Sequence, residues 1–324
     1  MKNLIFDDVL AAHNRIKNYV KNTPLLSDEK LNKELGANVF FKMENQQETN
    51  SFKARGAFNA VLTYKEKFRK FPEKIVVQSS GNHAQAISFV SKKFGIKALI
   101  YMIKKASPLK IEAARKWGAE IILLDKRSEV NKAAEEKEKE GYFFIHPSDN
   151  DEVICGQATS ALEAFEQLAK EDKKIDAVFM PCGGGGLAAG VFLATKHLAP
   201  TAKIFACEPL NANDVAISIR ENKNALPGEE KIFHFDDTPN TIADGVRTLG
   251  TSRRCFSYLR NFDGVFEIPE EEIMPFRKKL EKTFQQKIEP TSALAFASVV
   301  KFLEENPSAK NQNFLVIISG GNVV

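Results

Sequence analysis

The sequence predicts an α/β fold built mainly from parallel sheets, and two observations carry that reading. Seven short apolar runs, at 75–77, 98–103, 121–124, 143–145, 177–180, 204–207 and 314–318, lack polar alternation, as strands covered on both faces do. Between them lie segments with helical spacing. In 154–169 the apolar residues fall at 154, 158, 161, 162, 165, 168 and 169, one stripe of a helix. Segments 82–94, 107–117, 128–140, 187–198 and 270–286 read the same way. Strand alternating with helix needs crossover connections, hence parallel pairing. A chain of 324 residues holds about two domains at the usual ~150 residues each.

The remaining segments add punctuation. The run 135–140 mixes Glu and Lys and reads as a solvated helix face. Segment 220–240, with Pro227, Pro239 and weak periodicity, reads as a long surface excursion. Hydrophobic residues at 43% and charged residues at 27% exclude a disordered, collagen-like or disulfide-scaffold chain. The net charge is 46 − 42 = +4 without clustering, so no nucleic-acid partner is expected. Cys155, Cys182, Cys207 and Cys255 form no C-x-x-C pair, and Cys182 and Cys207 read as buried thiols. No apolar stretch reaches the ~18 residues of a membrane span. Asp7 and Asp8 stand where a secretory signal would be apolar. The expected location is the cytoplasm, away from membranes.

The strongest chemical signal is Pro181-Cys182-Gly183-Gly184-Gly185-Gly186-Leu187, between a strand and a helix. Four glycines let backbone N–H groups turn toward one anion, and the helix N-terminus adds partial positive charge. No Lys-Ser/Thr follows, which disfavours a Walker loop. Gly183-x-Gly185-x-x-Ala188, with Glu208 past the next strand, also meets the loose dinucleotide pattern, so a nicotinamide-dependent oxidoreductase competes at this point. In Asn50-Ser51-Phe52-Lys53-Ala54-Arg55-Gly56, Ser51 reads as a helix N-cap. That puts Lys53 in the first turn, where helix dipole and burial lower an amine's pKa. Ser79-Ser80-Gly81-Asn82-His83 occupies another strand-to-helix turn, whose hydroxyls, amide and glycine suit a carboxylate. Ser319-Gly320-Gly321-Asn322 follows the last strand. In 208–214, Glu208, Asp214 and free carbonyls suit a hard cation, though a solvated acidic turn explains them equally. The five histidines show no metal spacing.

Jointly and in this order, S-F-K-x-R-G at 51–56, S-S-G-N-H at 79–83, G-G-G-G-L at 183–187 and S-G-G-N at 319–322 resemble the fold type II pyridoxal-phosphate (PLP) enzymes, whose fold is tryptophan synthase β-like. Within them the chain resembles the serine/threonine dehydratase and serine racemase family, from Thr23-Pro24-Leu25 onward. The resemblance implies two open, mainly parallel-sheet domains: a large PLP-binding domain from 1–74 plus 150–324, and a small mobile domain, 75–149. It implies that Lys53 is the Schiff-base lysine with Phe52 packed beside the cofactor. Asn82 then bonds the phenolic oxygen, Gly183, Gly184, Gly185 and Gly186 hold the phosphate, Gly245 lies at the cofactor's edge, and Ser319 faces the pyridine nitrogen. Ser79, Ser80, Gly81, Asn82 and His83 take the substrate carboxylate. Glu208, the Ala212 carbonyl and Asp214 match the family's divalent-cation site for Mg or Ca. A homodimer acting on a small hydroxy amino acid is implied as well.

The implied reaction is loss of the β-hydroxyl to give a 2-oxo acid and ammonia, with Lys53 taking the α-proton. A hydroxyl at Ser319 does not keep the ring nitrogen protonated as a carboxylate would, which favours elimination over transamination. Ser80 stands where racemases carry a serine that handles the proton on the face opposite the lysine; many dehydratases have alanine there. Ser80 and the Glu208/Asp214 pair lean toward serine racemase or 3-hydroxyaspartate dehydratase. Segments 244–249 and 289–294 look more like bacterial dehydratases. Ser148 replaces the Asn or Phe frequent in the family, and Asn131 lies near where animal racemases place an arginine. The expected activity is a serine/threonine ammonia-lyase, with those two as alternatives. The chain ends two residues past Asn322, so no isoleucine-sensing domain and no feedback by isoleucine are expected.

Overall fold

The apolar runs become strands of two separate sheets. The computed structural model describes residues 3–226 and 229–323. Its strands are β1 (Leu25–Leu26), β2 (Asn38–Met43), β3 (Lys74–Gln78), β4 (Lys97–Ile103), β5 (Glu120–Leu124), β6 (Phe143–Phe144), β7 (Ala177–Pro181), β8 (Lys203–Pro209), β9 (Gly264–Ile268) and β10 (Asn313–Ile318). The helices are α1 (Phe6–Ile16), α2 (Glu29–Leu35), α3 (Lys53–Phe68), α4 (Asn82–Phe94), α5 (Pro108–Arg115), α6 (Arg127–Lys139), α7 (Asp151–Lys170), α8 (Gly186–Leu198), α9 (Asp214–Glu221), α10 (Arg253–Leu259), α11 (Glu270–Phe284) and α12 (Pro290–Glu305).

One sheet runs β5-β4-β3-β6 and is parallel throughout. The other runs β1-β2-β10-β7-β8-β9 and is parallel except for the β1–β2 pair. Every residue of β7 is buried, because helices cover both faces. One face of the six-stranded sheet is aromatic, with Phe41, Phe179, Phe266, Phe296 and Phe302 in one cluster. On the other, α8 meets α7 so closely that a Cβ on Gly190 would lie 2.6 Å from the Ile154 carbonyl oxygen. Helix α3 packs Ala54, Ala57, Phe58 and Val61 into the core of the four-stranded sheet. It touches α7 where Gly56 faces Gly156; a Cβ on Gly156 would sit 2.6 Å from the Gly56 Cα.

Several elements are absent from the sequence reading, namely β1, β2, β9, α1, α2, α9, α10 and α12, and for two of them the physical reason is plain. Strand β2 carries Lys42, which breaks the apolar run, yet the side chain is buried and donates to Glu163 at 3.0 Å. Helix α12 is apolar almost all round because it is buried among strands, so no stripe stands out. The excursion expected over 220–240 starts two residues later, because α9 runs to Glu221; among the described residues of 222–240 there is no helix or strand, and Pro227 lies outside the described residues. All four cysteines are buried. No described helix is long and apolar enough to cross a membrane.

Candidate active site

The C-terminal ends of the parallel strands lead into turns that open onto one cavity of about 870 Å³, lined from both sheets. Helix α3 begins at this cavity because its entry segment is pinned to the end of β10. The Phe52 N–H donates to the Ser319 carbonyl at 3.0 Å, and Ser51 bridges Gly320. This corrects the expectation for Ser51. The cap position is Phe52, without a side-chain cap, and the buried Ser51 hydroxyl has no hydrogen-bond partner among the described residues. Lys53 nevertheless opens the first turn. Its Nζ donates to the Pro147 carbonyl at 2.9 Å and lies 4.9 Å from the Phe52 ring centre. Burial pushes its pKa down to about 8, against the opposing pull of Cys255 and Glu289.

Gly183, Gly184, Gly185 and Gly186 join β7 to α8, and Gly185 has φ +85. A Cβ on Gly184 would lie 2.5 Å from Ser148 Oγ, and one on Gly185 2.7 Å from the Cys255 Cβ. Only glycine fits, and the loop ends on the N-terminus of α8, where an anion is favoured.

The turn from β3 to α4 holds Ser79, Ser80, Gly81, Asn82 and His83 against the same cavity. Ser80 Oγ accepts from the Ile103 N–H at 3.3 Å. His83 bonds the Ile145 carbonyl through Nε2 at 2.9 Å, and burial drives its pKa down to about 3, so the ring is neutral. Asn82 donates to Glu289 at 2.9 Å and accepts from Asn322 at 3.0 Å. Ser319 Oγ donates to the other Glu289 oxygen at 2.9 Å and lies 3.0 Å from Ser292 Oγ. The Gly245 N–H donates to Thr291 Oγ1 at 3.0 Å.

Lys53, the 79–83 turn, the glycine quartet, Gly245 and Ser319 therefore meet around one space. Glu289, Lys110, Arg127 and Arg247 also line it, and the sequence reading had assigned them no role. Glu289 is buried, and that burial raises its carboxyl pKa. Its one local signal was an acid directly before Pro290, where α12 starts. Lys110 forms an ion pair with Asp244, linking α5 to the turn that carries Gly245.

Glu208, Ala212 and Asp214 lie outside this cavity. Glu208, the second-last residue of β8, is fully buried and accepts from the Val215 and Ala216 amides at 3.2 and 2.9 Å. Both Asp214 oxygens are buried, and among the described residues neither has a well-aligned donor. Burial, then the neighbouring Asp214, raises Glu208 well above the usual carboxylate range, and burial lifts Asp214 to about 7. The dinucleotide competitor loses its support, since this buried glutamate has no free reach toward a ribose.

Two parallel-sheet layers around a lysine- and glycine-lined cavity define a fold type II α/β enzyme. The chain belongs to the pyridoxal-phosphate dependent enzyme family, whose model matches residues 16–320. It is 38% identical to a serine racemase of Schizosaccharomyces pombe, over 98% of this chain and 94% of the relative. It is also 38% identical to an L-threo-3-hydroxyaspartate ammonia-lyase of Saccharomyces cerevisiae, over 98% and 93%. Among solved structures, the T.th. threonine deaminase superposes with TM-score 0.89 at 35% identity, covering 99% of each chain.

Proposed function

We propose that this enzyme is an ammonia-lyase for a small hydroxy amino acid, releasing a 2-oxo acid and ammonia. The observation that carries the reading is a lysine of lowered pKa sharing one cavity with a four-glycine cradle and a buried serine hydroxyl. The residues fit PLP: the amine suits its aldehyde, and the crowded glycines leave room for its phosphate. In this reading Lys53 holds the cofactor, with Phe52 beside it and Gly245 at its edge. Gly183–Gly186 and the α8 N-terminus take the phosphate, Asn82 the phenolic oxygen and Ser319 the ring nitrogen. When bound, PLP supplies an electron sink that acidifies the substrate α C–H.

Lys53, neutral in part near pH 8, takes the α-proton. The Ser79–His83 turn and the α4 N-terminus orient the substrate carboxylate, and neutral His83 adds no charge there. Closure of the small domain, 75–149, over the large domain excludes water from the reacting atoms. The protein acts as a cytoplasmic homodimer. The deciding assay measures 2-oxo acid from L-serine, L-threonine and 3-hydroxyaspartate; a colourless protein that releases none from any of them overturns the reading.

Serine racemization is the second reading, favoured by Ser80, which lines the same cavity as Lys53. Two acid–base groups on two faces permit inversion; one permits only elimination. Ser80→Ala is expected to lower D-serine formation from L-serine at least about tenfold more than it lowers 2-oxo acid release. Chiral chromatography checks this, and equal losses remove Ser80 from that role.

Glu208, the Ala212 carbonyl and Asp214 would hold a divalent cation, Mg or Ca. Two adjacent buried carboxylates repel one another, and a cation cancels that cost. Millimolar calcium is expected to raise the melting temperature of the wild type but not of Asp214→Asn; equal shifts would show that binding lies elsewhere.

A further inference from the structure

We propose that Glu289 is a positioning residue that, acting through Ser319, keeps a proton on the ring nitrogen of the bound cofactor. The inference deepens the proposed site: it rests on the contacts given there to Ser319 and Asn82, not on which reaction follows.

The buried Glu289 carboxylate is held tightly in place. The Glu289 N–H donates to the Gly320 carbonyl at 3.0 Å, and a Cβ on Gly320 would lie 2.8 Å from the carboxylate. One carboxylate oxygen accepts from Asn82 Nδ2 at 2.9 Å, and the other accepts from the Ser319 hydroxyl at 2.9 Å.

The polarity of these bonds follows from neighbours that only accept. The Thr49 carbonyl accepts from the Asn322 NH2 at 2.8 Å, which fixes that amide, and the same NH2 donates to Asn82 Oδ1 at 3.0 Å. Asn82 therefore turns its own NH2 to Glu289, gives it one N–H and keeps the second for the phenolic oxygen. Ser292 donates its single proton to the Gly320 carbonyl at 2.9 Å and accepts the Gly320 N–H at 3.0 Å. Ser319 also has one proton, with Ser292 and Glu289 as acceptors within reach. The carboxylate is the stronger acceptor and takes it. The Ser319 oxygen then has only lone pairs to offer the ring nitrogen. A nitrogen facing lone pairs is held there only if it carries a proton of its own.

Charge supports the same assignment. Burial raises the Glu289 carboxyl, while Asn82, Ser319, Lys110 from α5 and Lys53 from α3 pull it back. Lys110 is itself paired with Asp244, so a protonated ring is a further cation for Glu289 to face. A serine by itself leaves the nitrogen bare, as the sequence led one to expect; a serine backed by a carboxylate does not. The protonated ring is the stronger electron sink.

The test is nitrogen-15 NMR of the holoenzyme carrying ring-labelled PLP, since protonated and bare ring nitrogens resonate at well-separated positions. The wild type is expected at the protonated position in neutral buffer. Glu289→Gln keeps the size and the bond from Asn82, but its NH2 donates to Ser319 and frees that hydroxyl's proton for the ring nitrogen. Its signal is expected at the bare position. Ser319→Ala breaks the same relay and is expected to match it, whether or not Glu289→Gln takes up PLP. A bare nitrogen in the wild type, or a protonated one in either loaded variant, overturns the proposal. A protonated wild-type nitrogen with no 2-oxo acid from any substrate keeps it and overturns the ammonia-lyase reading; a bare one with 2-oxo acid released does the reverse.

Discussion

Replacing Lys53 with alanine is expected to lower 2-oxo acid release by about 10⁴-fold or more, and to abolish the visible absorbance of the PLP-loaded protein. Both effects come from one atom. Nζ is the amine that opens onto the cavity from the first turn of α3, and burial brings its pKa to about 8 rather than 10.5. At pH 7 roughly a tenth of such an amine is neutral, far more than of an ordinary lysine. The sign follows: only the neutral form accepts a proton, so the proton-transfer rate rises with pH and levels off above about 8. Lys53→Arg should fail as completely as Lys53→Ala, because a guanidinium stays charged. Spectra, steady-state rates and circular dichroism on the same samples check this. A folded Lys53→Ala protein with unchanged colour and rate would remove the lysine from the mechanism.

Arg55→Met is expected to cost about 3–5 kcal/mol of stability, the usual penalty for breaking a buried ion pair from one side. Arg55 is fully buried two residues past Lys53. Its guanidinium donates to both oxygens of Glu44, at 2.7 and 2.8 Å, and both of Glu163, at 2.8 and 2.6 Å. Lys42 also donates to Glu163, and Thr23 to Glu44 at 2.6 Å. Two buried cations thus balance two buried anions. Methionine fills the volume but leaves one carboxylate charge uncompensated in a medium of low dielectric. The network ties the start of α3 to β2's end and to α7, so the lysine-bearing turn should loosen with it. Urea unfolding measures the loss. A drop under about 1 kcal/mol would mean that the four charges contribute little beyond filling space.

Much of this was legible in the sequence because it is local. A short apolar run without polar alternation needs cover on both faces wherever it lies, and all seven runs are strands here. Four glycines in a row between a strand and a helix state their own backbone freedom. The amine in the first turn of a helix was readable too, though the residue chosen as its cap was wrong. Ser51 has the chemistry of a cap, but pairing with Gly320, at the other end of the chain, claims its backbone for a bridge. Lys42 misled in the same way, since its partner Glu163 lies 121 residues on.

By itself, then, the order of residues determined which segments are strands or helices and which turns could hold an anion, since those depend on neighbours a few positions apart. Tertiary structure alone decided that Glu289 joins Asn82 to Ser319, that Arg55 is shared by Glu44 and Glu163, and that Arg127 and Arg247 line the lysine's cavity. The hydrogen bonds among them span from 11 to 207 residues of chain. Their geometry is set by how two sheets pack through α3 and α7, and no local pattern of spacing or charge records it.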